Sequence, residues 1–242
     1  MPNEDDTFYA AISRSVPASH YAKPGLTRFL ESFVSREDRV LDAGCGIGVD
    51  AAMLASATHC RIAGFDTAIE CVAQAAARGV RAVVADWNRD WPFAAGFDVV
   101  LAIFVIHHAD DLRGFFGRAA SVLKRRGAIV VLTATEADIR RRFLSRYFPG
   151  LVQSDIARYP AAETIEAALA AAGFAMESRR TVVLRTESVT PEYLDIVRNR
   201  RWASLRSLPE EEFRRGMESL ERDAADSPTW ENHKTLIVAR RR

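Results

Sequence analysis

The segment Val40-Leu-Asp-Ala-Gly-Cys-Gly-Ile-Gly-Val-Asp50 constrains the fold more tightly than any other stretch of the chain. An apolar run, Arg39-Val40-Leu41, reads as a buried strand with Asp42 at its tip. Gly44, Gly46 and Gly48 follow at alternate positions, and Asp50-Ala-Ala-Met-Leu-Ala opens a helix. Strand, glycine turn and helix in that order build a nucleotide cradle. Glycine adopts positive φ without steric cost and lets a ligand approach the backbone, while the first turn of a helix offers unpaired N–H donors. Spacing narrows the ligand. The dinucleotide fingerprint G-x-G-x-x-G requires a third glycine at position 49, where the chain has Val49. A nicotinamide oxidoreductase is thereby disfavoured.

The same strand-then-helix rhythm continues downstream. Residues 61–65 form a short apolar strand ending at Asp66, residues 80–85 a third ending at Asp86, and residues 97–105 and 128–133 a fourth and fifth. Helical patterns cover 26–34, 68–78 (stopped by Gly79), 111–125 (ended by Gly127) and 161–172 (closed by Gly173). Nearly continuous apolar strands separated by helices predict a parallel sheet covered on both faces. Residues 135–160 read as one helix plus a loop, and 175–186 and 233–240 as two further strands. Helical pattern fills 191–225 between those two.

Composition bounds the function class. A chain of 242 residues buries a full α/β core with some added elements as one domain. Its net charge of +1 gives no global field toward nucleic acid or membrane. No run reaches the ~18 apolar residues of a membrane span. The acidic start, Met1-Pro-Asn-Glu-Asp-Asp, does not read as a signal peptide. Three cysteines, Cys45, Cys60 and Cys71, lack CxxC spacing and fit a reducing compartment, so a cytoplasmic setting is expected. His59-Cys60 has no partners at metal-ligand spacing, and no metal is expected.

The D-x-G-x-G-x-G turn resembles the one that Rossmann-like S-adenosylmethionine (SAM)-dependent methyltransferases place after their first strand. Phe97-Asp98-Val-Val-Leu-Ala-Ile103 and Val122-Leu123-Lys124 … Gly127 are similar to that family's fourth strand and helix exit, so the likeness runs over residues 38–133. It implies a seven-stranded, mostly parallel Rossmann-like sheet with helices on both faces and an antiparallel last strand. It also implies a single domain over 1–242: a helical lid at 1–37, a cofactor-binding core at 38–133, and helical cap insertions at 134–160 and 187–230. The implied cofactor is SAM, held by Asp42, Ala43, Gly44, Cys45 and Gly46 on the turn. Asp66 and Thr67 would serve the ribose, Asp86 and Trp87 the adenine, and Ala102 and Ile103 the tip of the fourth strand. Either aspartate taken alone would as readily cap a helix or turn. Asp42 is expected to accept the loop's own N–H groups as much as to touch ligand. Cys45 is expected to pack rather than to react.

His107 and His108 follow the fourth strand. Methyl transfer from a sulfonium is an in-line displacement that alignment accelerates, and a general base helps where the acceptor loses a proton early. Histidine suits that task at neutral pH. On an extended segment one ring at most would face the pocket; in the other reading both only shape the loop. Arg140, Arg141, Arg142 and Arg146 would clamp an anion or form a solvated helix face, and the same choice covers Arg198, Arg200 and Arg201. Phe8, Tyr9, Arg14 and Tyr21 precede the turn, where an aromatic could meet the sulfonium and an arginine the cofactor carboxylate. The functions this pattern supports are methyl transfer to an O, N or C atom of a small molecule, or SAM binding without methyl transfer.

Overall fold

The computed structural model describes residues 18–242. Seven strands form one sheet in the order β3-β2-β1-β4-β5-β7-β6. They are β1 (Arg39–Ala43), β2 (Arg61–Asp66), β3 (Arg81–Val84), β4 (Phe97–Ile103), β5 (Leu123–Thr133), β6 (Phe174–Ser188) and β7 (Thr229–Arg241). The first five pair in parallel, and β7 runs antiparallel between β5 and β6. Chain order reverses between β1 and β4. Open α/β sheets bind ligands in the crevice outside the strands' carboxyl ends at such a switch point.

Both faces are covered. One layer of core joins Leu41, Phe65, Val100, Phe115, Phe116, Ile129 and Phe174. The other joins Leu26, Leu30, Val40, Leu54, Leu101, Val130 and Leu236. Alternate residues of β1, β4 and β5 fall in opposite layers because successive side chains of a strand leave opposite faces. The flanking helices are α1 (Pro24–Glu31), α2 (Val49–Thr58), α3 (Ile69–Ala77), α4 (Leu112–Val122) and α7 (Ala162–Ala171). Between the last two lie α5 (Glu136–Arg141) and α6 (Pro149–Arg158), and between β6 and β7 lie α8 (Pro191–Arg198), α9 (Ala203–Arg206) and α10 (Glu210–Asp223).

Three local expectations change. Residues 135–160 hold two helices joined by a 3₁₀ turn at Phe143–Arg146, not a helix and a loop. A Thr135–Asp138 capping box starts α5, and Pro149 occupies the first turn of α6, where its missing N–H costs nothing. Helix α4 stops at Val122, short of Arg125, because Leu123 is buried and already pairs with Phe97 across a bulged start of β5. Ile106–His108 is a 3₁₀ turn rather than an extended segment.

The ribbon of β6 and β7 outruns its neighbours. Thr235 pairs with Thr133, the last residue of β5, so Thr229–Lys234 project past the sheet's carboxyl edge for about 20 Å at the usual strand rise. That overhang carries α8–α10. Their apolar faces meet α6 and the preceding 3₁₀ turn in one cluster that includes Phe143, Phe148, Leu151, Tyr193, Val197, Leu205 and Met217. Buried Asp138 ties this layer to the sheet by accepting hydrogen bonds from the hydroxyls of Thr235 (2.6 Å) and Thr135 (2.9 Å). Among the described residues no helix is long and apolar enough to cross a membrane.

Candidate active site

Gly44, Gly46 and Gly48 all sit at positive φ (76°, 51° and 76°). A Cβ on Gly44 would stand 2.5 Å from the Val105 side chain, and one on Gly48 would stand 2.7 Å from Ala75. A Cβ on Gly46 would meet nothing within 4 Å. Two of the glycines therefore let the turn close against its own fold, and the middle one leaves room on the open side.

The turn is fastened by its neighbour strand. Gly44 and Cys45 both donate their N–H to the carbonyl of Phe65 (2.9 and 3.0 Å), and Gly46 N–H donates to Asp66 Oδ2 (2.8 Å). Asp66 Oδ1 accepts from Ala68 N–H (3.1 Å) at the start of α3. The loop-holding carboxylate is thus Asp66, not Asp42 as the sequence suggests. Asp42 is almost fully buried, and its Oδ1 has no hydrogen-bond partner among the described residues. Burial, then the nearby Asp50 carboxylate, pushes it up to about 8 from 3.8, against the pull of Lys23. Lys23 Nζ is paired with Asp50 Oδ2 at 2.5 Å.

A cavity of about 500 Å³ opens on this turn, within the ~300–1,000 Å³ of small-molecule sites. It brings together Asp42, Gly44, Cys45, Gly46, Asp66, Thr67, Trp87, Ile103, His107 and His108. Ala43 and Ala102 are fully buried in the main core and do not line it. Neither does Asp86, whose Oδ1 accepts from Asn88 N–H (2.8 Å) and which faces Arg89 at 4.0 Å. Trp87 is held in place: its Nε1–H donates to the carbonyl of His108 (3.2 Å), and its own carbonyl accepts from Trp91 Nε1 and Arg118 Nε. Cys45 is buried, with its thiol pushed up by desolvation, and Gly64 lies against it where a side chain would collide. A buried, protonated thiol packs and does not attack.

Both histidine rings face the cavity because the 3₁₀ turn bunches them, with centroids 4.1 Å apart. Tyr159 stacks on His107 at 4.2 Å, and Arg158 Nη2 lies 3.0 Å from His107 Nε2. Burial, then the electrostatic influence of His108 and Arg158, holds His107 down to about 2. Phe104, at the tip of β4, takes φ 52° and also lines the cavity; such a conformation is uncommon for a residue with a Cβ.

The far wall comes from α5, α6, α8 and the β6–β7 overhang. Arg141, Arg142 and Arg201 line it, whereas Arg140 pairs with Glu136, Arg198 with Glu221 and Arg200 with Glu210 away from it. Lys23, Phe104, Arg158, Tyr159, Tyr193 and Lys234 also reach the cavity. Their scatter along the chain gave no local motif to read. Tyr21 lines the cavity too, while Phe8, Tyr9 and Arg14 lie outside the described residues. Among the described residues no cluster of His, Cys, Asp and Glu is placed to hold a metal.

Sheet order, glycine turn and crevice define the class: a Rossmann-like methyltransferase. A family model described as a methyltransferase domain matches residues 17–179, more than half of the chain, and the chain belongs to that family. It is 31% identical over 119 residues to a demethylmenaquinone methyltransferase of Tropheryma whipplei, covering 48% of each chain. It is 36% identical over 103 residues to a protein of Encephalitozoon cuniculi, covering 42% of this chain and 46% of that one. The chain thus spans about half the length of these relatives. Among solved structures, YcgJ of Bacillus subtilis shares the fold with TM-score 0.60 at 18% identity, covering 89% of this chain and 97% of that one. Geranyl diphosphate C-methyltransferase of Streptomyces coelicolor does so with TM-score 0.57 at 20% identity, covering 92% and 80%.

Proposed function

We propose that the protein transfers a methyl group from SAM to an O, N or C atom of a small molecule enclosed beneath residues 134–160 and 187–230. The observation that carries this reading is the single cavity whose one end is the glycine turn with Asp42 and Asp66 and whose other end is walled by the inserted helices. The residues present fit the cofactor. The open side of Gly46 leaves space for a ligand at the backbone, and the Asp66 carboxylate lines the cavity beside it. SAM itself supplies an electrophilic methyl on a sulfonium.

The chain supplies position and exclusion. Asp66 already accepts two backbone N–H bonds, and a carboxylate keeps lone pairs for a ribose hydroxyl as well. Trp87, pinned to His108, offers a fixed apolar wall for adenine, with Asp86 one residue before it. The inserted layer shields the reacting centre from water, which strengthens the alignment on which in-line displacement depends. Of the two histidines, His108 is the candidate general base, since the lone pair of His107 is engaged by Arg158. All three cysteines are free and buried, in keeping with a reducing, cytoplasmic setting.

Titration calorimetry with S-adenosylhomocysteine and with NADH tests the cofactor, and tight NADH binding alone would overturn it. Incubation with methyl-labelled SAM and a metabolite extract tests the reaction. A labelled small-molecule product is expected; SAM turnover without one would mark a SAM-binding protein of other chemistry.

A further inference from the structure

The cavity is electrically divided. Its glycine-turn end presents the carboxylates of Asp50 and Asp66 with Lys23 and a neutral Asp42, whereas the far wall presents Arg142, Arg158 and Lys234. The carboxylates of the far wall already have partners, Glu231 lying 3.0 Å from His233 Nε2. Asp138 accepts from two threonine hydroxyls and pairs with Arg141 (3.2 Å), Asp155 pairs with Arg142 (2.7 Å), and Glu187 accepts from Arg185 and Asn232.

Arg142 carries two adjacent donors of this wall that are left without a hydrogen bond. Its Nη1 is spent on buried Asp155, but its Nε and Nη2 have no hydrogen-bond partner among the described residues and almost no accessible surface, so an oxyanion reaches them only as the side chains around them give way. Those two nitrogens form the side edge of the guanidinium, the fork that grips a carboxylate or phosphate through two parallel N–H···O bonds. A buried donor without a partner is costly, so a fork held this way gains when an oxyanion meets it. Asp155 fixes the guanidinium on its opposite side. Lys234 lies near enough to Arg142 for the two positive charges to interact, and both Lys234 and Tyr193 line the cavity. The cavity wall also carries aromatic side chains, with Tyr159 stacked on His107 and Tyr193 in edge contact with Trp202 and Trp230.

We propose that the acceptor is an oxyanion-bearing small molecule with an apolar, ring-sized body, its carboxylate or phosphate gripped by the Nε–Nη2 edge of Arg142. This rests on the methyltransferase reading for what happens to the bound molecule, but the binding itself is separable. The test is calorimetry on the full chain saturated with S-adenosylhomocysteine, titrated with benzoate, phenyl phosphate and neutral benzamide. At least one anion should bind at least tenfold more tightly than benzamide, and which one binds tells carboxylate from phosphate. In Arg142→Lys and Arg142→Gln that affinity should fall at least tenfold with S-adenosylhomocysteine affinity unchanged, since lysine restores charge but not the fork. Equal binding of benzamide, no binding of either anion at millimolar concentration, or variants that keep the anion affinity would overturn the proposal. Should the variants misfold through loss of the Asp155 pair, the three-ligand comparison on the wild type decides alone. Failure of S-adenosylhomocysteine to bind would instead sink the cofactor assignment, and the anion titration of the unloaded protein would still read the Arg142 corner.

Discussion

Arg158 Nη2 lies 3.0 Å from Nε2 of His107. A guanidinium has only donors, so Nε2 must accept and the imidazole proton must sit on Nδ1. That nitrogen is buried and has no hydrogen-bond partner among the described residues. With its lone pair engaged and its cationic form disfavoured by burial and by neighbouring charge, His107 is a fixed N–H donor rather than a base.

Nitrogen-detected NMR of the histidine rings reads this directly. His107 should show the Nδ1–H tautomer and no titration between pH 5 and 8, consistent with a value held near 2. Arg158→Met frees Nε2 and removes one opposing charge, so the value should rise, while burial, the largest cause, keeps it below 6.5. A His107 titration near 6.5 in the unaltered protein would show that the Arg158 contact does not exist in solution.

Asp66 should matter to the cofactor through the turn it holds. Asp66→Ala strips the acceptor from Gly46 and Ala68 N–H and the charge offered to ribose. Loss of a charged hydrogen-bond partner costs about 1.5–3 kcal/mol, or roughly 10- to 150-fold in S-adenosylhomocysteine affinity. Calorimetry that finds the affinity unchanged removes Asp66 from the site.

Asp42 makes stability depend on pH in an unusual direction. Its folded value of about 8 lies above the 3.8 expected when unfolded, so the native state holds the proton more tightly. The stability this confers is complete below about pH 4 and is lost as pH rises toward 8, a change of roughly 5 kcal/mol at most. Asp42→Asn cannot ionise. Its melting temperature should match the wild type near pH 4 and exceed it by up to roughly 10–20 °C at pH 8, given about 2–4 °C per kcal/mol at this chain length. The same substitution should weaken S-adenosylhomocysteine binding at pH 8. A stability gap that does not widen with pH would mean that Asp42 is not held in its neutral form.

These residues also mark how far the sequence could be read. The glycine turn and the five parallel strands are local patterns, and the structure has them where periodicity and glycine punctuation predict. Asp66 was legible as a candidate because strand-end carboxylates recur at fixed spacing; its bonds to Gly46 and Ala68 were not, since they depend on how β2 sits beside β1. Ala43 and Ala102 follow from strand alternation, which turns every second side chain into the core. The histidine pair changed most. An extended segment would splay the rings, and a 3₁₀ turn joins them. Arg158, Tyr193 and Lys234 come from three distant elements and line one cavity; Lys234 stands on the β6–β7 ribbon beyond the sheet edge, a consequence of register that no local window contains.

The glycines of the turn separate folding from binding. At Gly48 an alanine would be strained twice: by φ 76°, costing about 1–2 kcal/mol, and by a Cβ 2.7 Å from Ala75 of the packed helix α3, which cannot move aside cheaply. At Gly46 only the backbone cost applies, because its Cβ would enter open space on the cavity side. Gly48→Ala should therefore lower the unfolding free energy by about 2–5 kcal/mol in urea titration, the sum of left-handed strain and overpacking. Gly46→Ala should lower it by about 1–2 kcal/mol yet reduce S-adenosylhomocysteine affinity at least tenfold, as its methyl stands where the ligand must approach the backbone. If Gly46→Ala binds as tightly as the wild type, the open side of the turn is not the face that the cofactor uses.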